Sequence, residues 1–395
     1  MTFKINHFFN SKNNRHFLNG MCAVLHCHHY ATLTTQLAMD AKHFNGENKL
    51  YETAEECFHR ALNRYFQEHA VREANDKIAV AKDYWRIIGM GLVDFSYRNS
   101  VLAAKMDYSH IDEGWLKKWG KSDKPVNIIT SGFIAAVASL VNDKPLGWYR
   151  VFETKSLVMG DEVSEFVVEE EKTPRILTKV NRINRSIPDN LSLTLSLQTN
   201  IDRLKVIDQL SKITVTGNEH GLIPAFNVFV QQLPAEFWAG FAMRLINDIP
   251  EEMIETAEYL LKNCASECGY HTGYGIITSD VWNEVVAPMV KKIPEDILHG
   301  AFSVFTAWGW AMCEVVELIP GNKMILRAYD YYESDVETDR YSAHMIQGVA
   351  SAFMDLAYGG NYDPTGKTGF GTYTCEQTKG IEKGDLFGEF IITKA

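Results

Sequence analysis

Near the N-terminus, residue types that bind metals recur at helical spacing. Cys22, His26 and His29 stand at i, i+4 and i+7, which places all three side chains on one face of an α-helix. Further along, Glu56 and His59 form an i, i+3 carboxylate and imidazole pair of the kind that metal sites in helical bundles use. If the two segments form antiparallel helices, the five side chains make a mixed shell suited to one iron, zinc or manganese ion.

The same residues also allow a purely structural interpretation. A buried histidine is usually a hydrogen-bonded core residue, and cysteine often behaves as a small hydrophobic side chain. The second half of the chain has Ile223, Asn227 and Val230 where the first half has the cysteine and the two histidines. Any chemistry of this cluster therefore belongs to the first half, and the choice between metal site and core stays open.

Hydrophobic periodicity predicts the elements that would position these residues. In each half, two helices are followed by a pair of short β-rich runs, a helix of small residues and a closing pair of strands. Helices followed by antiparallel strands indicate the α+β class. The predicted opening helices are 21–39, 51–73, 225–246 and 252–277, and the first strand pairs are 91–97 with 101–108 and 311–318 with 324–331.

A segment near the middle of the chain is similar in sequence to the segment at its C-terminus, which predicts a tandem duplication. Residues 152–168 and 377–392 share Thr-Lys, Gly-Asp and Glu-Phe in the same register. We expect one copy over 1–171, a structured connector over 172–218 and a second copy over 219–395, packed about a pseudo-twofold axis. Within the connector, Leu191, Leu193, Leu195 and Leu197 alternate with polar residues as in a half-buried strand.

Composition narrows the possible partners. The net charge of -11 and the pI near 5.7 argue against nucleic acid as a partner, because nucleic-acid binders need a basic face. No apolar run approaches the roughly 18–20 residues of a membrane span, and no secretion signal is evident, so we expect a cytoplasmic protein. No dinucleotide fingerprint or phosphate-binding loop occurs, which predicts that no nucleotide cofactor binds. The seven cysteines are expected to be reduced thiols.

The order of these elements, with Ser122-Asp123-Lys124-Pro125-Val126 before the small-residue helix, resembles a known family. Together with the closing Glu-Thr-Lys and Gly-Asp motif that begins at Glu153, it is similar to the 4-vinyl reductase domain, also called the hydrocarbon-binding domain. That domain is the sensor module of phenol- and xylene-responsive transcription activators, and its fold resembles the TRAPP trafficking subunits. The resemblance spans most of the chain and implies a small hydrophobic or aromatic ligand in an apolar pocket.

The chain departs from this family at the positions that bind zinc in its sensor members. Serine and glycine cannot supply the thiolates of a tetrahedral zinc site, so we expect no zinc at either closing motif. Copy one keeps the carboxylate as Glu153 but has Asn127, Ser156 and Ser164 at the cysteine positions, and copy two has Gln377, Gly380 and Gly388.

Aromatic residues are the expected lining of the implied pocket, although an aromatic stripe is more often plain core. The candidates in copy one are Tyr84, Trp85, Phe95 and Tyr97, and those in copy two are Phe305, Trp308 and Trp310.

Two functions follow from these patterns. The first is a non-catalytic protein that binds a small hydrophobic or aromatic molecule, as a stand-alone sensor or carrier. The alternative is a metal-dependent enzyme of redox or lyase type that acts on a small organic substrate in the copy-one pocket. The sequence leaves enzymatic activity open, and it is compatible with an oligomer.

Overall fold

A computed structural model describes residues 2–183, 199–213 and 215–395 of the chain. The described residues form an α+β structure with three antiparallel sheets and eleven α-helices. Among them, no helix combines the length and the apolar character that crossing a membrane requires. The alternating leucines at 191–197 lie outside the described residues.

The first half runs from β1 to β7. Its opening strands precede three helices, a long hairpin, two further helices and a closing strand pair. These elements are β1 His7–Asn10, β2 Arg15–Leu18, β3 Met21–Cys27, α1 His28–Asp40, α2 Gly46–Glu68, α3 Ala74–Ile87, β4 Gly91–Arg98, β5 Val101–Ser109, α4 His110–Trp119, α5 Ile128–Val141, β6 Tyr149–Lys155 and β7 Ser164–Glu170.

The helix α6, Arg203–Ser211, precedes the second half. A short hairpin then leads into helices, a long hairpin, one further helix and a closing strand pair. These elements are β8 Ile223–Ala225, β9 Val228–Pro234, α7 Glu236–Asn247, α8 Glu251–Ile277, α9 Asp280–Val285, α10 Glu295–Ala307, β10 Ala311–Ile319, β11 Lys323–Tyr331, α11 His344–Tyr358, β12 Tyr373–Lys379 and β13 Gly388–Lys394.

Two of the sheets have four strands each, and their strand orders correspond. The first sheet has the order β4-β5-β7-β6, and the second has the order β10-β11-β13-β12. In both, the long hairpin pairs with the last strand of its half, and the next-to-last strand lies at the edge. The strand pairs predicted at 91–97 with 101–108 and at 311–318 with 324–331 are confirmed.

The third sheet joins the two halves, with the order β1-β2-β3-β9-β8. Its central pair, β3 and β9, is antiparallel, with Ala23 opposite Pro234 and Cys27 opposite Val230. Each of these strands follows a two-residue hairpin turn, and both turns have positive φ angles at both residues. If positions are counted from the end of each turn, Ala23 corresponds to Val230, and Cys27 corresponds to Pro234. Since Ala23 lies opposite Pro234 and Cys27 lies opposite Val230, the pairing exchanges corresponding positions of the two strands.

The prediction of a helix over 21–39 is wrong for its first seven residues. Met21–Cys27 is the strand β3, and the helix begins only at His28. Asn19 and Gly20 adopt φ angles of 48° and 75°, which closes a hairpin with β2 and commits the following residues to a sheet. In the second half, the predicted helix 225–246 likewise contains β9 and becomes helical at Glu236.

Glycine permits close helix packing at corresponding places in the two halves. A Cβ on Gly132 of α5 would lie 2.5 Å from the carbonyl oxygen of Tyr51 on α2. A Cβ on Gly348 of α11 would lie 2.4 Å from the carbonyl oxygen of Lys262 on α8. Both contacts are far shorter than van der Waals distance, so each pair of helices packs this closely only because of the glycine.

Candidate functional site

The five residues predicted as metal ligands lie in different surroundings. Cys22 and His26 are on β3 and not on a helix, so the spacing that would place them beside His29 does not apply. The rings of His29 and His271 are 5.1 Å apart, whereas Glu56 pairs with Arg244 and His59 borders a surface cleft. Within the part of the chain that the structure describes, no group of three His, Cys, Asp or Glu side chains could hold a metal ion. The predicted ligand set is therefore not assembled, and a metal cofactor stays a prediction that metal analysis of the purified protein would test.

His26 lies at the junction of the two halves, inside a shell of aromatic rings. Its ring stacks with Tyr30 at 5.5 Å and with Trp310 at 6.1 Å between ring centroids. Trp238 and Tyr332 meet it edge-on at 6.1 and 5.6 Å. Burial lowers the pKa of His26 to about 3, and its Nδ1 has no hydrogen-bond partner among the described residues. The side chain is thus a neutral imidazole in the core.

The aromatic residues predicted as a pocket lining pack mainly against one another and against the core. Trp85 is fully buried, with its ring stacked 3.9 Å from that of Phe133. Tyr97 donates a hydrogen bond to Asn142 at 2.8 Å. Ring neighbours also surround Tyr84, Phe95, Phe305 and Trp308. Their role in ligand binding stays a prediction.

In the first half, the closing motif forms a buried network of hydrogen bonds. The Nδ2 atom of Asn127 lies 2.9 Å from both carboxylate oxygens of Asp112 and 2.8 Å from Oε1 of Glu153. Ser109 donates to Oδ1 of Asn127 at 2.7 Å, and Ser164 donates to Asp112 at 3.1 Å. Burial and the neighbouring Glu153 raise the pKa of Asp112 to about 7, and burial also raises the pKa of Glu153.

The corresponding place in the second half is also filled by hydrogen-bonded side chains. Gln377 donates from Nε2 to Glu382 at 2.7 Å, and Tyr331 donates to the same carboxylate. Nearby, Glu333 accepts bonds from the backbone N–H groups of Met345 at 2.8 Å and Ile346 at 3.2 Å. Burial raises the pKa of Glu333 to about 8. Asp112, Glu333 and Glu382 were not predicted, and no local spacing marks them. The absence of zinc from these positions stays a prediction.

Two concave sites differ in chemical character. The apolar cleft, as we call the first, has a volume of about 130 Å³ and lies between α8, α10 and α11. All of its lining residues are apolar, and they include Ile277, Ile297, Leu298, Ala301, Phe353 and Ala357.

The second concave site is larger and charged. We call it the Arg150 groove; it has a volume of about 540 Å³ and lies between the first turns of α2 and α5 and the strand β6. Its lining includes the cations Lys42, Lys124 and Arg150, the carboxylates Glu47 and Glu153, and the ring of Tyr51. The two sites belong to different halves of the chain.

Comparison with known proteins gives a limited result. No protein-family model matches the chain, and no curated protein matches it. Among solved structures, the chain is similar to the crystal structure of the phenol-responsive sensory domain of the transcription activator PoxR with phenol. The TM-score is 0.36 at 12% sequence identity, over 42% of this chain and 84% of that one. Membership of the 4-vinyl reductase family therefore stays a prediction.

Proposed function

We propose that this chain binds a small hydrophobic or aromatic molecule in the apolar cleft, as a stand-alone sensor or carrier. The observation that carries the proposal is the lining of the cleft, which consists of apolar residues throughout. An engineered apolar cavity of about 150 Å³ in another protein binds benzene and xenon, and the volume of about 130 Å³ here is close to that size. A ligand with a polar head would lose its hydrogen bonds with water in this cleft, so we expect the ligand to be a hydrocarbon or a simple aromatic.

The position of the cleft explains how a ligand could enter it. It lies at the surface ends of three helices, and Ile293 at its margin is 75% exposed. Deeper in the cleft, Leu298 and Phe353 are almost fully buried. A small apolar molecule can therefore move from water into the cleft. This removes apolar surface of both the ligand and the cleft from solvent, which is the main source of affinity for such ligands.

Binding of toluene, followed by ligand-observed NMR on the full chain, tests this function. Ala357 is half-buried and lines the cleft, so Ala357→Leu fills it, and we expect at least a tenfold loss of toluene affinity without unfolding. Ala74→Leu makes the same substitution at a half-buried alanine of α3 outside the cleft and should leave binding unchanged. Equal toluene binding by both variants would remove the cleft as the ligand site.

We also infer that the two halves are copies of one unit. The inference is supported by the matching strand orders of the two four-stranded sheets, the matching glycine contacts of α5 and α11, and the exchange of corresponding positions between β3 and β9. Superposition of residues 19–171 on 219–394 tests it. Helices that follow different paths between corresponding strands would contradict a duplication.

A further inference from the structure

The Arg150 groove lies in the half of the chain that does not contain the apolar cleft. Its volume of about 540 Å³ falls within the range of sites that bind small molecules. Its walls combine apolar surface from Ile128 and Val151 with polar and charged side chains at the rim. A site of this build favours a ligand that has an apolar body and one charged end.

The charges at the rim show which sign the ligand should carry. Lys42, Lys124 and Arg150 line the groove, against the two carboxylates Glu47 and Glu153. Lys124 lies 3.4 Å from Glu47, and both side chains are well exposed, so this pair is weak and can rearrange for a ligand. Lys42 and Arg150 are then the cations available to a bound anion.

One hydrogen bond and one contact with an aromatic ring position Arg150. Its Nη1 donates to Oδ1 of Asn48 at 3.0 Å, and the guanidinium lies 5.8 Å from the ring centroid of Tyr51. Arg150 also forms an ion pair with Glu171, at 3.9 Å between Nε and Oε1, but both side chains are partly exposed, so this pair is weak and the guanidinium stays available to a bound anion. A planar guanidinium held in this way is suited to a carboxylate, which can accept two parallel hydrogen bonds from it.

Glu153, on the inner wall of the Arg150 groove, contributes less negative charge than a free carboxylate would. Glu153 shares the Nδ2 atom of Asn127 with Asp112, so three carboxylate oxygens face one amide group that has only two N–H bonds. Asp112 is buried and Glu153 is half-buried, and two carboxylates that share one amide in this way favour a proton held between them. The cations therefore dominate the groove.

Two helices add to the positive electrostatic potential of the Arg150 groove. α2, with 23 residues, and α5, with 14 residues, both begin at the groove. The residues that precede them, Asn45 and Asn127, make no side-chain capping bond to the first turn. At α5 the backbone N–H of Asn127 already donates to Oε2 of Glu153 at 3.0 Å, so the positive end of the α2 dipole is the one that supports a further anion, in addition to the side-chain cations.

We propose that the Arg150 groove binds a small organic carboxylate, with the carboxylate at Arg150 and Lys42 and the apolar body against Tyr51, Ile128 and Val151. This site is independent of the apolar cleft and of the function proposed for it. The ligand differs from that of the cleft in its charge, and the two sites can be distinguished by probes that differ in one functional group.

The test compares benzoate with benzyl alcohol by isothermal titration calorimetry on the full chain. The two probes have similar size, but only benzoate is charged, so we expect benzoate to bind at least tenfold more tightly. Arg150→Met keeps the aliphatic length and removes the charge, and it should weaken benzoate about fivefold or more while toluene binding in the apolar cleft stays unchanged. Lys212→Met, which removes an exposed lysine of the segment after α6, is the control and should leave benzoate binding unchanged.

Three outcomes would overturn the proposal. Equal binding of benzoate and benzyl alcohol would show that charge does not matter. An equal loss of benzoate affinity in Arg150→Met and Lys212→Met would show only a general effect of net charge. If Arg150→Met and Lys42→Met both bind benzoate as tightly as the unmodified chain, the groove is not the site.

Discussion

At the scale of single residues, the imidazole of His26 is buried without a partner for Nδ1 among the described residues, and His344 is buried in a similar way. A buried polar atom without a hydrogen bond costs roughly 1–3 kcal/mol. Counted from the hairpin turns, the corresponding residue of β9 is Leu233 and not Asn227 as the sequence predicts, because Asn227 lies in the turn itself, so the fold accommodates an apolar residue in that position of the sheet.

We therefore expect His26→Leu to leave the free energy of unfolding unchanged or to raise it by about 1 kcal/mol in urea titrations at pH 7. His16→Leu is the matched control, because His16 is also buried but bonds to the carbonyl oxygen of Ala307 at 2.6 Å and to His7 at 3.0 Å. The control should destabilise the protein by about 2 kcal/mol. Greater destabilisation by His26→Leu than by His16→Leu would mean that His26 binds something in the native protein.

The amide of Asn127 provides a second test at this scale. Asn127→Asp keeps the shape of the side chain but adds a third carboxyl group beside Asp112 and Glu153. We expect a loss of at least about 3 kcal/mol in unfolding free energy at pH 8, since the donor is lost and like charges are buried together. The exposed Asn283→Asp should change stability by less than about 0.5 kcal/mol. A small loss for Asn127→Asp would contradict the network.

At the scale of elements, replacing Gly132 or Gly348 with alanine should have the opposite effect on stability from the same substitution at Gly240, a third helical glycine. A Cβ on Gly240 of α7 meets its nearest atom only at 3.5 Å, an ordinary contact. Gly240→Ala should therefore stabilise the protein by roughly 0.5–1 kcal/mol through helix propensity. Gly132→Ala and Gly348→Ala should each destabilise it by about 2 kcal/mol or more because the helices must separate. Thermal unfolding of the three variants measures this difference, and equal effects would contradict the packing.

Elements also show how far the sequence alone is informative. The hairpins at 91–97 with 101–108 and at 311–318 with 324–331 were predictable, because their strands are bounded by turn residues. The strand β3 was missed, because a short apolar run fits a buried strand as well as a helix. The Asn19-Gly20 pair before it is a strong hairpin signal that would have given the correct element. With β3 as a strand, the helical spacing of Cys22 and His26 loses its meaning.

The networks at Asp112 and Glu333 could not have been predicted from spacing. Asp112 meets Asn127 and Glu153 only because α4, α5 and β6 come together in the fold. The apolar cleft likewise depends on contacts between three separate helices, α8, α10 and α11. Sequence patterns indicate contacts within one element, whereas the two networks and the apolar cleft are formed by contacts between elements.

At the scale of the whole molecule, buried titratable groups of both kinds limit the pH range of stability. Burial lowers the pKa values of His26, His110 and His344 to about 3 each, so these residues take up protons when the chain unfolds below pH 6.5. Their contribution to stability is complete above pH 6.5 and is lost as the pH falls. The raised pKa values of Asp112, about 7, and Glu333, about 8, act in the other direction: their contribution is lost as the pH rises through those values.

We therefore expect maximal stability near pH 6 to 6.5 and a loss of about 1–2 kcal/mol of unfolding free energy between pH 6.5 and 8. Urea unfolding at a series of pH values measures the loss of stability on both sides of this maximum. Glu333→Gln removes the titrating carboxyl group and keeps one acceptor oxygen where Glu333 offers one each to the N–H groups of Met345 and Ile346, and it should reduce the loss above pH 6.5 by about 1 kcal/mol. Stability that keeps rising to pH 8 in the unmodified chain would disprove this account.

The pairing of β3 with β9 also governs what would happen to either half on its own. Separated from its partner, each half would expose an edge strand whose backbone N–H and C=O groups have lost their bonds, and such edges recruit other strands. Because the pairing exchanges corresponding positions, the exposed edge of one half could be covered by the same edge of a second identical half. A fragment of residues 199–395 should therefore sediment as a homodimer, while the intact chain satisfies the same bonds within one polypeptide and has no need of that association.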